Sequence, residues 1–159
     1  MTVTLLRRIL RMKRFFITSS LLLAILSFAH SQTINDMEQL LSSTAITYEQ
    51  AVWFVLQAAE VPVSSPGEAF NYAVENKWLP AKAVENSPQA SLDGVSLLIM
   101  QAFNLKGGLL YSISKRIVSA SPRYAYRELL YKDTIQGRAD PNMAVTGEYL
   151  LYLLGRVTP

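Results

Sequence analysis

The 159-residue chain contains no cysteine and a single histidine, His30. That histidine lies in a leader expected to be removed. Arg7, Arg8, Arg11, Lys13 and Arg14 form a basic start, Ile17 to Phe28 an apolar core too short to cross a bilayer comfortably, and Ala29 and Ser31 place small residues where a signal peptidase reads. Cleavage after Ser31 is predicted, so residues 1–31 are read as a signal peptide, with Met12 a candidate true start. What remains has neither thiol nor imidazole. Zinc and iron–sulfur centres need those ligands, and Ser-His or Cys-His nucleophilic pairs need the imidazole as base, so none of these is available to the exported chain. Disulfides and a lipidated cysteine are excluded on the same ground.

Charge of one sign is scarce as well. The whole sequence carries 15 Lys and Arg against 12 Asp and Glu, a formal +3. Five of the basic residues depart with the leader and no acidic residue does, which leaves ten against twelve and a net charge of −2. Nucleic-acid binding therefore has no support from composition. No later apolar run is long enough to span a membrane, so no stable span is expected after cleavage. About 128 residues remain, enough for one domain with a real core.

Along that remainder the organisation is helical. Residues 32–46 form a polar segment in which Ile34, Met37, Leu40 and Leu41 recur at helical spacing. A helical domain is expected over 47–159. Thr47 and Gln50 have the spacing of a capping box, opening a helix from Tyr48 to about Glu60 whose apolar face runs nearly all round once Trp53 and Phe54 are counted. Both Trp53 and Trp78 are expected in the core. Ser65-Pro66-Gly67-Glu68 starts a second helix to about Asn76, with a Ser cap and Pro at the first helical position. Residues 81–90 read as a loop or a turn of helix. Asp93 is the predicted cap of a third helix running to Asn104, with Lys106-Gly107-Gly108 as its stop. Leu109 to Val118 reads as a short helix or a strand. From Arg123 to Val157 the pattern is helix, polar turn around Gly137 and Pro141, and a second helix capped by Thr146.

Three helix starts share one grammar: Ile46-Thr47, Leu92-Asp93 and Val145-Thr146 each place an apolar residue before an oxygen-bearing cap. A helix precedes the second and third, ending in Trp78-Leu79 and Thr134-Ile135, so a repeated helix–loop–helix unit is expected. Within it, Ile135-Gln136-Gly137-Arg138-Ala139-Asp140-Pro141-Asn142-Met143-Ala144-Val145-Thr146-Gly147-Glu148 resembles the C-terminal half of an S-layer homology (SLH) repeat, in which an I-x-G turn leads to a Pro-Asn pair and a T-R-A-E helix start. The resemblance covers about 33 residues well, residues 69–103 more weakly, and only the helix start around Thr47. It implies a small all-α bundle that holds to cell-wall polysaccharide, often through acidic groups, in the periplasm or cell envelope. It departs from the family where the Arg of T-R-A-E, used on the ligand, is Tyr48, Gly94 and Gly147 here.

The binding chemistry visible in the residues is a run of arginines among tyrosines. Arg123 and Arg127 are four apart on one helical face, and Arg138 lies in the following turn. Guanidinium forks suit oxyanions, and Tyr124 and Tyr126, with Tyr131, Tyr149 and Tyr152, offer flat faces to a sugar ring. Glu128, Asp133 and Asp140 are near enough in sequence to neutralise those arginines instead, and solvated pairs of that kind are worth only ~0–1 kcal/mol. No catalytic residue, metal site or cofactor is expected. Glu49 and Glu148 sit in first helical turns, where the macrodipole favours a carboxylate without any catalytic role. Asp133 and Asp140 lack the D-x-D-x-D-G calcium pattern. The expected function is a non-catalytic, exported envelope module whose partner is wall polysaccharide or an envelope protein. A structural subunit or adaptor of an envelope assembly is the alternative, and a carboxylate-based glycan-cleaving enzyme a distant third.

Overall fold

The structure, a computed structural model, describes residues 34–86, 89–108, 121–137 and 139–158, with nothing said of the side chains of Glu85 and Asn86. The predicted signal peptide, Ser87-Pro88, the 109–118 segment and Arg138 lie outside the described residues. Among those described, every regular element is an α-helix: α1 (34–42), α2 (Tyr48–Ala58), α3 (Pro66–Glu75), α4 (Ala81–Asn86), α5 (Leu92–Ala102), α6 (Pro122–Tyr131) and α7 (Gly147–Val157). The all-α class read from the sequence is the class observed. The chain divides into two units, Met1–Gln39 and Leu40–Pro159. Of the first, only helical residues 34–39 are described.

Local chemistry sets most of the helix starts. At α2 the Thr47 hydroxyl accepts from the Gln50 N–H at 3.3 Å while the Gln50 side chain accepts from the Thr47 N–H at 3.0 Å, a complete capping box. At α3 the Ser65 hydroxyl accepts from Glu68 N–H at 3.2 Å, and the Glu68 carboxylate accepts from Ser64 N–H at 2.8 Å. Thr146 accepts from Tyr149 N–H at 3.1 Å to open α7. The start of α5 differs from expectation. Its cap is Ser91, in extended conformation, and Asp93 is already the second helical residue. The Asp93 carboxylate accepts from the Ser91 hydroxyl at 2.6 Å and from Gly94 N–H at 2.7 Å.

The reason for that shift is tertiary. Ile46 N–H donates to Val145 C=O at 2.9 Å, Val145 N–H to Ala90 C=O at 2.9 Å, and Ala90 N–H to Ile46 C=O at 2.8 Å. Three residues thus close a ring of three backbone hydrogen bonds, and all three are buried. Each immediately precedes a cap, Thr47, Ser91 or Thr146, so α2, α5 and α7 all begin beside one point. Leu92 N–H to Met143 C=O at 3.0 Å and Asp93 N–H to Pro141 C=O at 2.9 Å hold the start of α5 against the polar turn that precedes α7.

Helix ends are as uniform. After α2, α3, α5 and α6 a residue with positive φ closes the helix: Glu60 (56°), Lys77 (56°), Asn104 (47°) and Asp133 (56°). At each, the next residue's N–H returns to a carbonyl five residues back, as in Val61 to Leu56 at 3.0 Å and Trp78 to Ala73 at 2.9 Å, the Schellman pattern. Accordingly α5 stops at Ala102 and is closed by Asn104, before the glycine pair expected to end it. Asn is the non-glycine residue that best tolerates this conformation, so the helix needs no glycine there.

Burial is greatest on α5, where every residue from Leu92 to Met100 except Asp93 is buried. It packs most extensively against α6 and also against α2; α2 in turn contacts α3 and α7. The helix read as deepest, α2, buries Tyr48, Ala51, Val52, Phe54, Val55 and Leu56 but leaves Trp53 half-exposed. Trp78 is also half-buried, edge-on to the exposed Tyr72 ring, while its neighbour Leu79 enters the core. An indole is large enough that it is rarely buried whole, and both tryptophans sit at the rim. Within the core, the Ser96 hydroxyl donates to Leu92 C=O at 2.6 Å.

Candidate functional site

The hydrogen-bonded ring gathers three helix N-termini, where partial positive charge collects. Each helix answers it with a carboxylate at its second position: Glu49, Asp93 and Glu148. The first helical positions are Tyr48, Leu92 and Gly147. All three are buried, and no Arg stands at any of them.

The space around these positions is filled from within. The Tyr48 hydroxyl lies 2.8 Å from the Ser91 hydroxyl and accepts from Ser91 N–H at 3.4 Å, and Ser91 passes the chain on to Asp93. Burial pushes the Tyr48 phenol above its ordinary value, more than the hydrogen bonds from Ser91 lower it. The ring packs directly over Gly94, where a Cβ would collide with the phenol. At Gly147 the same role falls to main chain. The Leu40 carbonyl stands where a Cβ would be, and Gly147 N–H donates to Ser43 C=O at 3.1 Å.

The sequence-predicted binding residues lie on α6. Pro122 fixes its first turn, and Ala125, Tyr126 and Leu129 face inward. That leaves Arg123 and Arg127 exposed on one stripe, with Tyr131 a further turn along and 86% exposed. Tyr124 is half-buried beside them. Tyr126 is not available as a flat face: it is buried, and its hydroxyl donates to Ala139 C=O at 2.6 Å, pinning the turn that contains Gly137 (φ 76°). The side chain of Arg138 belongs to the residues not described.

The acidic neighbours do not neutralise the stripe. Glu128 reaches Lys132 at 4.0 Å and lies against Gly108. Asp140 accepts from Asn142 N–H at 2.9 Å within its own turn. Asp133 offers its main-chain carbonyl to Arg156 at 2.8 Å. Among the described residues neither Arg123 nor Arg127 has an ion-pair partner.

A second aromatic feature occupies α7. Tyr149 and Tyr152 stack with ring centroids 5.8 Å apart and planes within 10°. Burial raises the Tyr149 phenol above its ordinary value, with further repulsion from Tyr152 and Tyr126 in the same direction. The three-residue spacing made this pair readable in sequence. Arg156 at its C-terminal end and the Tyr48–Ser91–Asp93 chain were not, since both depend on residues distant along the chain.

Among the described residues no group of three His, Cys, Asp or Glu is placed to hold a metal ion, and no helix is long and apolar enough to cross a membrane. The chain matches no protein-family model, no curated protein and no solved structure.

Proposed function

We propose that this protein is an exported, non-catalytic module of the cell envelope, organised as SLH-like helix–loop–helix units, and that it binds wall polysaccharide through the outer stripe of α6. The first unit ends in α2, the second runs from α3 to α5 and the third from α6 to α7. The closed exchange of hydrogen bonds among Ile46, Ala90 and Val145 favours equivalent units, since it relates three chain positions that each precede a cap. The observation that carries the binding assignment is the pair Arg123 and Arg127, exposed and without ion-pair partners among the described residues, next to Tyr131. Two guanidinium groups one turn apart offer forked donors to carboxylate-bearing sugars. Because the first helical positions of α2, α5 and α7 are buried and lack Arg, the ligand would be held outside the helix-start positions the SLH family uses.

A second reading, an adaptor docked on an envelope protein, draws on exposed apolar side chains: Leu41 at 46% and Val84 at 48%. Sedimentation of the exported chain with purified wall sacculi separates the two. Wild type should co-sediment, and Arg123→Ala/Arg127→Ala should sediment far less with its helical circular dichroism unchanged. Wild type that stays in the supernatant at low and moderate salt sinks the glycan reading and leaves the adaptor.

A further inference from the structure

The exposed face of α7 combines four features that its packing does not require. Tyr152 is exposed and stacked on half-buried Tyr149. Glu148 lies four residues before Tyr152 and Arg156 four after, both exposed and on the same face. Arg156 commits one donor to Asp133 C=O at 2.8 Å, which steadies the guanidinium while most of its five N–H donors stay uncommitted. Between Tyr152 and Arg156 stands Gly155, exposed, with no positive φ, where an added Cβ would meet no heavy atom within 4 Å. Glycine weakens a helix relative to alanine, and neither packing nor backbone conformation calls for it here. What it does is leave the helix backbone bare beside the aromatic pair.

We propose that Glu148, Tyr149, Tyr152, Gly155 and Arg156 form a sugar-ring platform on α7, a second contact site for glycan that does not use the α6 arginines. A pyranose has a C–H face, which lies on the outer face of Tyr152 backed by the stacked Tyr149 ring, and a rim of hydroxyls, which meets a carboxylate acceptor on one side and guanidinium donors on the other. Gly155 lets the rim approach the helix. The ligand class rests on the glycan reading above, whereas the location does not depend on Arg123 or Arg127.

The test is an amide-resolved NMR titration of the exported protein with two soluble probes, an N-acetylhexosamine tetrasaccharide and a hexuronate tetrasaccharide. The expected result is saturable shifts concentrated at 148–156 with at least one of them. Tyr152→Ala, folded by its dispersed spectrum, should weaken binding about tenfold or more, while Arg123→Ala/Arg127→Ala should leave these shifts intact. Gly155→Ala gives a distinctive signature: its thermal midpoint should rise by about 4 °C as a better helix former is installed, and its affinity should fall several-fold. Absence of shifts at 148–156 with both probes, or wild-type affinity in Tyr152→Ala, overturns the platform. Sacculus sedimentation keeps the two proposals apart. Sedimentation without these shifts sinks the platform alone, and shifts without sedimentation sink only wall attachment through α6.

Discussion

Substituting alanine for glycine inside a helix ordinarily stabilises by up to ~1 kcal/mol, yet at Gly147 the structure requires the opposite. A Cβ there would fall on the Leu40 carbonyl, with Leu40 Cγ already 3.1 Å away. The obstacle is main chain, so no side-chain rotation relieves it; the 40–46 segment must move. That displacement breaks the Gly147 N–H to Ser43 C=O bond, worth about 1 kcal/mol. It also loosens Leu40, now 1% exposed, whose full burial contributes roughly 1.5–3 kcal/mol. Partial loss of the second term, offset by the helix-propensity gain, gives a net destabilisation of about 1–2 kcal/mol for Gly147→Ala. Urea denaturation followed by circular dichroism reads it, with Gly155→Ala as the internal control, since its Cβ meets open space and should give a gain of ~0.5–1 kcal/mol. If Gly147→Ala proves as stable as wild type, the seating of Leu40 against α7 is wrong.

Thr47→Ala removes one half of the capping box and should cost about 1 kcal/mol in the same urea assay, more than the exposed Ser65→Ala cap need cost. Because burial raises the Tyr48 phenol above 10.0, the folded state holds that proton more tightly than the unfolded chain does. The associated stability is fully present below the unfolded value and is lost as pH rises through the folded one, so thermal midpoints should fall above about pH 10 and Tyr48→Phe should flatten that fall. Replacing Lys77 or Glu60, both at φ 56°, with glycine should relieve left-handed strain and raise stability by roughly 0.5–1 kcal/mol net of glycine's chain entropy. Asn104→Gly should gain least, and an equal gain at all three would mean that Asn has no special tolerance there.

How far the candidate site was legible follows from which interactions it uses. Arg123 and Arg127 share a face because residues four apart on any helix do, and the apolar residues Ala125 and Leu129 fix which face turns outward. Tyr126 was misread as a binding surface for a related reason. Helical spacing puts it one position after Ala125, on the inward side, but its fate depended on Ala139, a carbonyl in the next turn that periodicity does not report. The expected neutralisation of the arginines by Glu128, Asp133 and Asp140 failed likewise. Closeness in sequence did not decide where each carboxylate points: one is turned to Lys132, another is spent on its own turn, and Asp133 contributes a carbonyl instead.

The sequence by itself determined the all-α class and the starts of α2, α3 and α7, because capping boxes, Ser-Pro entries and apolar periodicity act within a few residues. Only the tertiary structure decided that α5 begins at Leu92, that Gly94 and Gly147 exist to admit Tyr48 and Leu40, and that Ile46, Ala90 and Val145 close one ring. Each of these joins groups more than forty residues apart in sequence, backbone to backbone except where the Tyr48 ring meets Gly94. Their physical cause, buried main-chain groups that must find partners, acts through space and leaves no periodic trace along the chain.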